Sequence, residues 1–230
     1  MQTDGFLLVD KPSGWTSHDV VAHVRKMSGI KKVGHGGTLD PMATGLLVIG
    51  LGKATKELER FVQGDKTYVA EVTLGATTAT DDAEGTVEPA PDVADAAQPS
   101  HADVAAALKR FEGEIEQLPP VYSAIKTGGK KAYVEARKGR TVERKPRKVT
   151  IHDIELLEYE WPIVRFRTTV SKGTYIRSIA RDLGERLGTG GYLSALRREG
   201  VGTFDVKDAL GADVLDGPWC DLAEKLIPLT

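Results

Sequence analysis

The feature that most constrains this chain is a nearly continuous apolar run at residues 43–51. A short apolar run of this kind is typical of a strand buried within a sheet, whereas a membrane helix needs about 18 apolar residues. The run follows a glycine-rich stretch, residues 34–45, in which the backbone can closely approach a ligand or another segment. The chain is therefore predicted to contain a buried sheet with this loop at its lip.

The other periodic segments mix strands and helices without strict alternation. Apolar residues alternate over residues 66–75, as in a half-buried strand, and they recur at helical spacing over residues 174–188. Two neighbouring strand patterns, at residues 149–157 and 162–170, are suited to a hairpin. We therefore expect an α+β fold with a mixed, largely antiparallel central sheet flanked by helices, rather than a doubly wound parallel sheet.

Charge is distributed unevenly, although the formal net charge is only −2. Residues 126–148, here called the basic segment, contain ten Lys or Arg side chains and two acids, whereas residues 81–103 contain seven acids and no Lys or Arg. The cations of the basic segment repel one another, and a polyanion would relieve that repulsion. The basic segment therefore favours nucleic-acid contact over a merely solvated face. The acidic segment is predicted to be a disordered or surface loop without a function.

Several kinds of chemistry find no support in the sequence. Cys220 is the only cysteine, which excludes an internal disulfide and a multi-cysteine metal site. Residues 50–55 resemble a phosphate-binding loop, but Leu47 stands where its first glycine is required and Ala54 follows Lys53. The five histidines lack the spacing of metal ligands. We therefore expect neither a metal nor an organic cofactor, and, with no signal-peptide pattern, a cytoplasmic protein.

Asp40 is the first candidate for chemistry. Pro41 restricts Asp40 to an extended conformation, so the carboxylate is held in place beside the predicted sheet. A carboxylate fixed in this way suits nucleophilic or acid–base catalysis. The alternative is that Asp40 only caps the turn before the proline, which is a common role for aspartate.

Arg177 is the second candidate. It lies with Lys172 near the start of the helix predicted over residues 174–188, with Thr174 as the expected cap. A cation at a helix N-terminus opposes the helix dipole by roughly 0.3–1 kcal/mol. A buried carboxylate or a phosphate would compensate for that cost, whereas the alternative is an uncompensated arginine on the surface.

These segments belong to an ordered set of motifs. In chain order they read GFLLVDKP (5–12), GHGGTLDPMATG (34–45), GDKTY (64–68), KGTYIR (172–177) and LRR (196–198), with YSA (122–124) and GKKAY (129–133) at the basic segment. The set covers about residues 5–205 and closely resembles the TruB family, the bacterial tRNA pseudouridine-55 synthases. Five ordered motifs are far more specific than the block around Asp40 alone.

The resemblance implies an isomerase that converts one uridine in the T-loop of tRNA, at position 55, to pseudouridine on a flipped-out base. It implies that Asp40 is the nucleophile, that Arg177 pairs with it near the target phosphate, and that Tyr68 stacks on the base. No metal or organic cofactor takes part, and attack on the sugar or on the uracil ring remains open. We therefore expect Asp40, Tyr68 and Arg177 to converge on one cavity wide enough for an unstacked pyrimidine.

Four further residues receive substrate-binding roles from their positions in the motifs. His35 is expected to enter the space that the uridine vacates, and Lys11 to support the floor of the active site. Ile179 and Leu196 are expected to form apolar walls of the base pocket. All four assignments rest on the resemblance and not on spacing.

The resemblance also implies how the chain is divided. Residues 1–215 are expected to form the catalytic domain, with a basic RNA-clamping insertion at about residues 120–149. Residues 216–230 would be a short tail, too short for the full PUA-type RNA-binding domain of many relatives. The expected partner is the T-arm stem-loop of tRNA, bound by a monomer, with no membrane involved. The insertion residues expected to contact RNA are Lys130, Lys131 and Arg137.

Two other interpretations remain open from the sequence. An RNA-folding chaperone or binding module without chemistry fits the basic segment equally well, but the set Asp40, Tyr68 and Arg177 argues against it as the sole role. A related synthase could act on another RNA within a guide complex. The insertion at residues 120–149 argues instead for a stand-alone enzyme.

Overall fold

The computed structural model describes residues 4–90, 98–122, 126–127, 130–131, 144–211, 215 and 217–229. The chain divides into two compact units, of which the first comprises Met1–Tyr68 with Leu196–Thr230 and the second Val69–Ala195. In chain order the elements are β1 (Gly5–Lys11), α1 (Ser17–Ser28), β2 (Val33–His35), β3 (Thr44–Leu51), a 3-10 helix (Gly52–Glu57), α2 (Leu58–Gln63), β4 (Lys66–Leu74), β5 (Ala76–Thr78), β6 (Val87–Pro89), α3 (His101–Lys109), β7 (Gly113–Gln117), β8 (Lys126–Thr127), β9 (Lys130–Lys131), β10 (Arg147–Glu160), β11 (Ile163–Val170), α4 (Ile176–Leu187), β12 (Gly191–Val201), β13 (Phe204–Asp205), a second 3-10 helix (Val206–Asp208) and α5 (Trp219–Ala223).

Strand β3, which contains most of the apolar run, is the centre of the sheet in the first unit. It pairs antiparallel with β1 and β2 and parallel with β12, where Arg198 lies opposite Gly45. Every residue of β3 after Thr44 is buried. The prediction of a buried strand at this position is confirmed.

Two apolar clusters cover the two faces of the β1–β3 pair. Successive side chains of a strand point to opposite faces, so Leu7 and Val9 lie in one cluster and Phe6 and Leu8 in the other. Helix α1 packs on the first cluster and helix α2 on the second. Each apolar side chain that is fully buried in such a cluster stabilises the fold by about 1.5–3 kcal/mol.

The described residues near the C-terminal end also belong to the core of the first unit. Leu215 and Leu226 join the cluster that contains Leu7. Ile227 and Phe6 exchange two backbone hydrogen bonds of 2.8 Å, which adds a bridge to the edge of β1. These residues therefore stabilise β1, which forms most of the motif at residues 5–12.

In the second unit the strand order is β12–β4–β11–β10–β7, to which β12 contributes its residues up to Ala195 and β4 its residues from Val69 onward. Strand β10 pairs antiparallel with both β11 and β7. Helices α3 and α4 belong to the same unit, and β5 and β6 form a separate antiparallel pair. Buried and partly buried residues alternate along β4, as the pattern at residues 66–75 predicted. The expected α+β class with a largely antiparallel sheet is confirmed.

The start of helix α4 differs from the prediction. The helix begins at Ile176 with Tyr175 as its N-cap, so the assignment of Thr174 as the cap is wrong. The side chain of Gln117 accepts a hydrogen bond from the Tyr175 N–H at 2.8 Å and donates one to the Tyr175 carbonyl at 3.1 Å. The Thr174 hydroxyl donates instead to the Ser171 carbonyl at 2.9 Å. A residue remote in sequence therefore fixes the first turn.

Candidate active site

Residues 34–45, here called the Asp40 loop, connect β2 to β3 and carry Asp40 in a half-buried position. Leu39 and Pro41, the two neighbours of Asp40, are hydrogen-bonded to residues that precede the loop in sequence. The Ser17 hydroxyl oxygen accepts a hydrogen bond from the Leu39 N–H at 2.8 Å, and the Gly14 N–H donates to the Pro41 carbonyl at 2.9 Å. The peptide groups on either side of the carboxylate are therefore held by α1 and by the turn after β1.

Lys11 contributes to the same arrangement. Its side chain is fully buried, and its ammonium group donates to the carbonyls of Pro12 at 2.9 Å, Trp15 at 2.6 Å and Pro41 at 3.1 Å. A buried ammonium group needs hydrogen-bond acceptors to offset its desolvation, and these three carbonyls supply them. Lys11 thus ties the turn after β1 to the residue that follows Asp40.

Arg198 is a second buried cation beside the loop, and sequence reasoning did not single it out beyond its place in the LRR motif. It is 1% exposed. Its Nε donates to the Leu46 carbonyl at 2.7 Å and its Nη2 to the Gly37 carbonyl at 3.2 Å. A Cβ at Gly45, which has a φ of +100°, would collide with the Arg198 backbone. Glycine is required there because the two backbones touch.

His35 pairs with Ile49 across β2 and β3 and is half-buried. Burial, followed by the nearby Arg198 guanidinium, lowers the pKa of His35 below its ordinary value. The imidazole is therefore neutral at pH 7. His35 also lines a cavity of about 650 Å³, whose charged lining residues are Lys31, Lys32, Lys56 and Glu59.

The remaining apolar candidates are buried in sheet or helix. Tyr68 lies in β4 and Leu196 in β12, each 9% exposed, and both belong to the first unit. Ile179 is fully buried on α4 in the second unit. Burial of these side chains fits a core position as well as a wall of a base pocket.

Arg177 is buried on helix α4 and forms an ion pair that the sequence did not reveal. The Arg177 Nη1 lies 3.2 Å from Oδ2 of Asp82, a residue that is 1% exposed. The same Nη1 donates a hydrogen bond to the Thr80 carbonyl at 3.3 Å. The other Asp82 oxygen accepts hydrogen bonds from the Thr80 hydroxyl at 2.6 Å and the Glu84 N–H at 3.1 Å. The cation at the start of α4 is thus compensated by a buried carboxylate.

This ion pair corrects one prediction. Residues 81–103 were expected to form a surface loop, and for Asp82 that expectation is wrong because its side chain is buried against Arg177. Acidic composition alone does not distinguish a solvated carboxylate from one that lies opposite a buried cation. The signal that could have found Asp82 is the need of Arg177 for an anion.

The convergence of the three expected catalytic residues stays a prediction. Asp40 and Tyr68 belong to the first unit and Arg177 belongs to the second. Of the insertion residues, Lys130 and Lys131 form β9, which pairs with β8, and Arg137 lies outside the described residues.

Within the described part of the chain, no group of His, Cys, Asp or Glu side chains could hold a metal ion. No helix described here is long and apolar enough to span a bilayer.

Residues 25–176 match the TruB family pseudouridylate synthase, N-terminal domain. The chain belongs to the TruB family. The tRNA pseudouridine synthase B of Leifsonia xyli subsp. xyli (strain CTCB07) is 48% identical over 98% of this chain and 74% of that protein. The tRNA pseudouridine synthase B of Thermobifida fusca (strain YX) is 48% identical over 92% of this chain and 74% of that protein.

A solved structure agrees with the fold. The crystal structure of a Cbf5-Nop10-Gar1 complex contains a chain that is 34% identical, with a TM-score of 0.72, over 92% of this chain. The TruB family member described here spans about half of that longer chain, 54% of its length. The resemblance stated from the ordered motifs is confirmed, and Asp40, Tyr68 and His35 lie inside the matched family region.

Proposed function

We propose that this chain isomerises uridine 55 in the T-loop of tRNA to pseudouridine, with Asp40 as the nucleophile. The observation that carries the proposal is the Asp40 loop of a TruB family chain, whose peptide groups are fixed on both sides of the carboxylate. A nucleophile held in one geometry needs little reorganisation to reach its target. The relatives named tRNA pseudouridine synthase B support tRNA as the substrate.

The reaction rearranges one bond of the nucleotide. The C1′–N1 bond breaks, the uracil turns in the pocket, and a C1′–C5 bond forms. The proton on C5 leaves and N1 gains a proton, so the product has the composition of the substrate. An ionised Asp40 forms a transient bond to the nucleotide, and that bond breaks again by the time the C1′–C5 product is complete, which returns the free carboxylate. Tyr68 stacks on the uracil, and Arg177 stabilises negative charge that develops during the reaction.

The base must leave the stack before Asp40 can reach it. Extrusion costs a few kcal/mol, and a side chain that fills the vacated space offsets part of that cost. We assign this role to His35, whose neutral imidazole can stack without bringing a charge into the helix. The lysine-lined cavity beside His35 and the basic segment provide contacts for the phosphates of the T-arm.

A tritium-release assay tests the proposal, because loss of the C5 proton accompanies the formation of the new carbon–carbon bond. A T-arm stem-loop labelled with tritium at uridine C5 is incubated with excess protein. We expect release by the wild-type chain, no release by Asp40→Asn with RNA binding retained, and wild-type release by Asp153→Asn, an exposed acid on β10. Full activity of Asp40→Asn would refute its assignment.

Two other outcomes identify the competing functions. Absence of product under single-turnover conditions, with tight binding of the stem-loop, would favour a binding module or chaperone. Product that forms only after partner proteins are added would favour a synthase that works within a complex. A monomeric enzyme acting in the cytoplasm predicts product from the purified chain alone.

A further inference from the structure

Asp81 has an unusual backbone conformation directly beside the buried Asp82. Its φ is +61°, and among the described residues other than glycine it alone has a positive φ. Such a conformation is unfavourable for most side chains, although aspartate tolerates it better than others, and it persists where the surroundings impose it. The turn is held in place because Leu193 and the backbone of residues 81 and 83 exchange hydrogen bonds of 3.1 and 3.0 Å.

The conformation of Asp81 lets two consecutive carboxylates reach one helix. Asp82 pairs with Arg177 at 3.2 Å, and Asp81 Oδ2 pairs with Arg181 Nη1 at 3.0 Å. In an extended segment, successive side chains point to opposite sides, and the left-handed residue breaks that alternation. Arg177 and Arg181 are four residues apart on α4, so they share a face and repel each other. Each aspartate forms an ion pair with one of the two cations.

Arg181 is held from several directions. Its Nη2 donates to the Leu118 carbonyl at 3.0 Å, and its Nε and Nη2 donate to one Asp182 oxygen at 2.9 and 2.7 Å. Ser178 donates to the same Leu118 carbonyl at 2.9 Å. The Arg181 and Asp81 side chains are only 18% and 15% exposed. A guanidinium group with this set of partners is fixed in place and is not available as a contact for RNA.

We propose that the ion pair between Asp81 and Arg181 positions Arg177, by fixing the turn that presents Asp82 to it. The inference rests on the proposed role of Arg177 in the active site. Arg181 anchors Asp81 to α4, Asp81 sets the direction of the next residue, and Asp82 then holds the Arg177 guanidinium from the side of the turn. Asp81 and Arg181 are positioning residues that touch no substrate.

Paired variants test the coupling. Asp81→Asn keeps a residue that tolerates positive φ and removes the charge, and Arg181→Met keeps the length of the stem. We expect each to lower the single-turnover rate constant by about 10-fold with little change in RNA affinity, and the double variant to lose no more than one of them. Asp153→Asn and Arg165→Met, both exposed on neighbouring strands, serve as matched controls.

A background variant shows whether the pair acts through Arg177. In an Arg177→Lys protein we expect Asp81→Asn to have little further effect on the rate constant. Equal losses from Asp81→Asn in the wild-type and Arg177→Lys backgrounds would overturn the inference, because a general loss of stability gives the same factor in both. Asp81→Gly, which adopts positive φ without strain, provides a second variant if Asp81→Asn folds poorly.

A readout without turnover separates this inference from the proposed function. The side-chain Nε–H resonance of Arg177 in NMR spectra reports the order of its guanidinium. We expect faster exchange or broadening of this resonance in Asp81→Asn and Arg181→Met and not in Asp153→Asn. An unchanged resonance overturns the positioning role, whereas a perturbed one supports it even if the wild-type chain forms no pseudouridine.

Discussion

Replacing Arg198 by methionine is expected to destabilise the first unit far more than the same change at its neighbour Arg197. Arg198 is buried and donates two hydrogen bonds, to the carbonyls of Leu46 and Gly37. The Arg197 side chain is 41% exposed and forms a bidentate pair with Asp10, at 3.0 and 2.6 Å. The two variants therefore compare a buried and a half-buried arginine on the same strand.

The magnitude follows from the bonds that each variant removes. A hydrogen bond from a charged donor contributes about 1.5–3 kcal/mol, so loss of the two Arg198 bonds amounts to roughly 3–6 kcal/mol. Methionine refills part of the space and removes a buried charge whose desolvation is unfavourable, which offsets part of that loss. We expect a net loss of about 2–4 kcal/mol for Arg198→Met, against about 1 kcal/mol for Arg197→Met, because the bidentate geometry places that partly exposed pair at the upper end of the range for such pairs.

Urea unfolding of the two variants and the wild type measures the difference. With an unchanged m-value, the loss appears as a lower midpoint concentration. Arg198→Lys retains a charge but cannot reach both carbonyls in the same fork, so an intermediate loss is expected. If Arg198→Met lies within about 0.5 kcal/mol of Arg197→Met, the carbonyl bonds do not stabilise the Asp40 loop and the reasoning is refuted.

Three further predictions concern titration, catalysis and RNA binding. Because burial lowers the pKa of His35, the unfolded chain binds more protons than the folded one, so the free energy of unfolding should decrease as pH falls below about 6.5. His35→Asn should remove part of that pH dependence, and an identical slope would contradict the assignment. Tyr68→Phe should slow tritium release if the hydroxyl assists removal of the C5 proton, and unchanged turnover would limit Tyr68 to stacking. Replacing Lys130, Lys131 and Arg137 by glutamine should weaken T-arm binding and reduce the slope of log affinity against log salt by about 2, whereas an unchanged slope would exclude these side chains as phosphate contacts.

Local patterns predicted the elements whose burial follows from their own residues. The apolar run of β3 and the alternation of β4 are such cases. Strand β12 was not predicted, because it carries Arg197 and Arg198 at positions that a hydrophobic pattern treats as solvent-exposed. The burial of Arg198 depends on carbonyls from Gly37 and Leu46, which are remote in sequence. The start of α4 was predicted wrongly for the same reason, since the side chain of the remote Gln117 binds the backbone of the N-cap, Tyr175.

The residues of the candidate site also differ in whether the sequence could point to them. Asp40 and Lys11 were named as candidates from the ordered motifs, and the structure adds the hydrogen bonds that fix the peptide groups around them. Asp82 could not be identified, because an acidic segment has the same composition whether its carboxylates face water or a buried guanidinium. Only the tertiary contact with Arg177 separates the two cases.

The two units use buried cations in different ways, and the difference bears on how the Asp40 loop is held. In the second unit, Arg177 forms an ion pair with the carboxylate of Asp82. In the first unit, the hydrogen bonds that Lys11 and Arg198 make to the Asp40 loop end on carbonyl groups, which carry dipoles but no net charge. Bonds of this kind orient the peptide groups of the loop and so hold Asp40 in one geometry, which lowers the reorganisation that a nucleophile needs to reach its target.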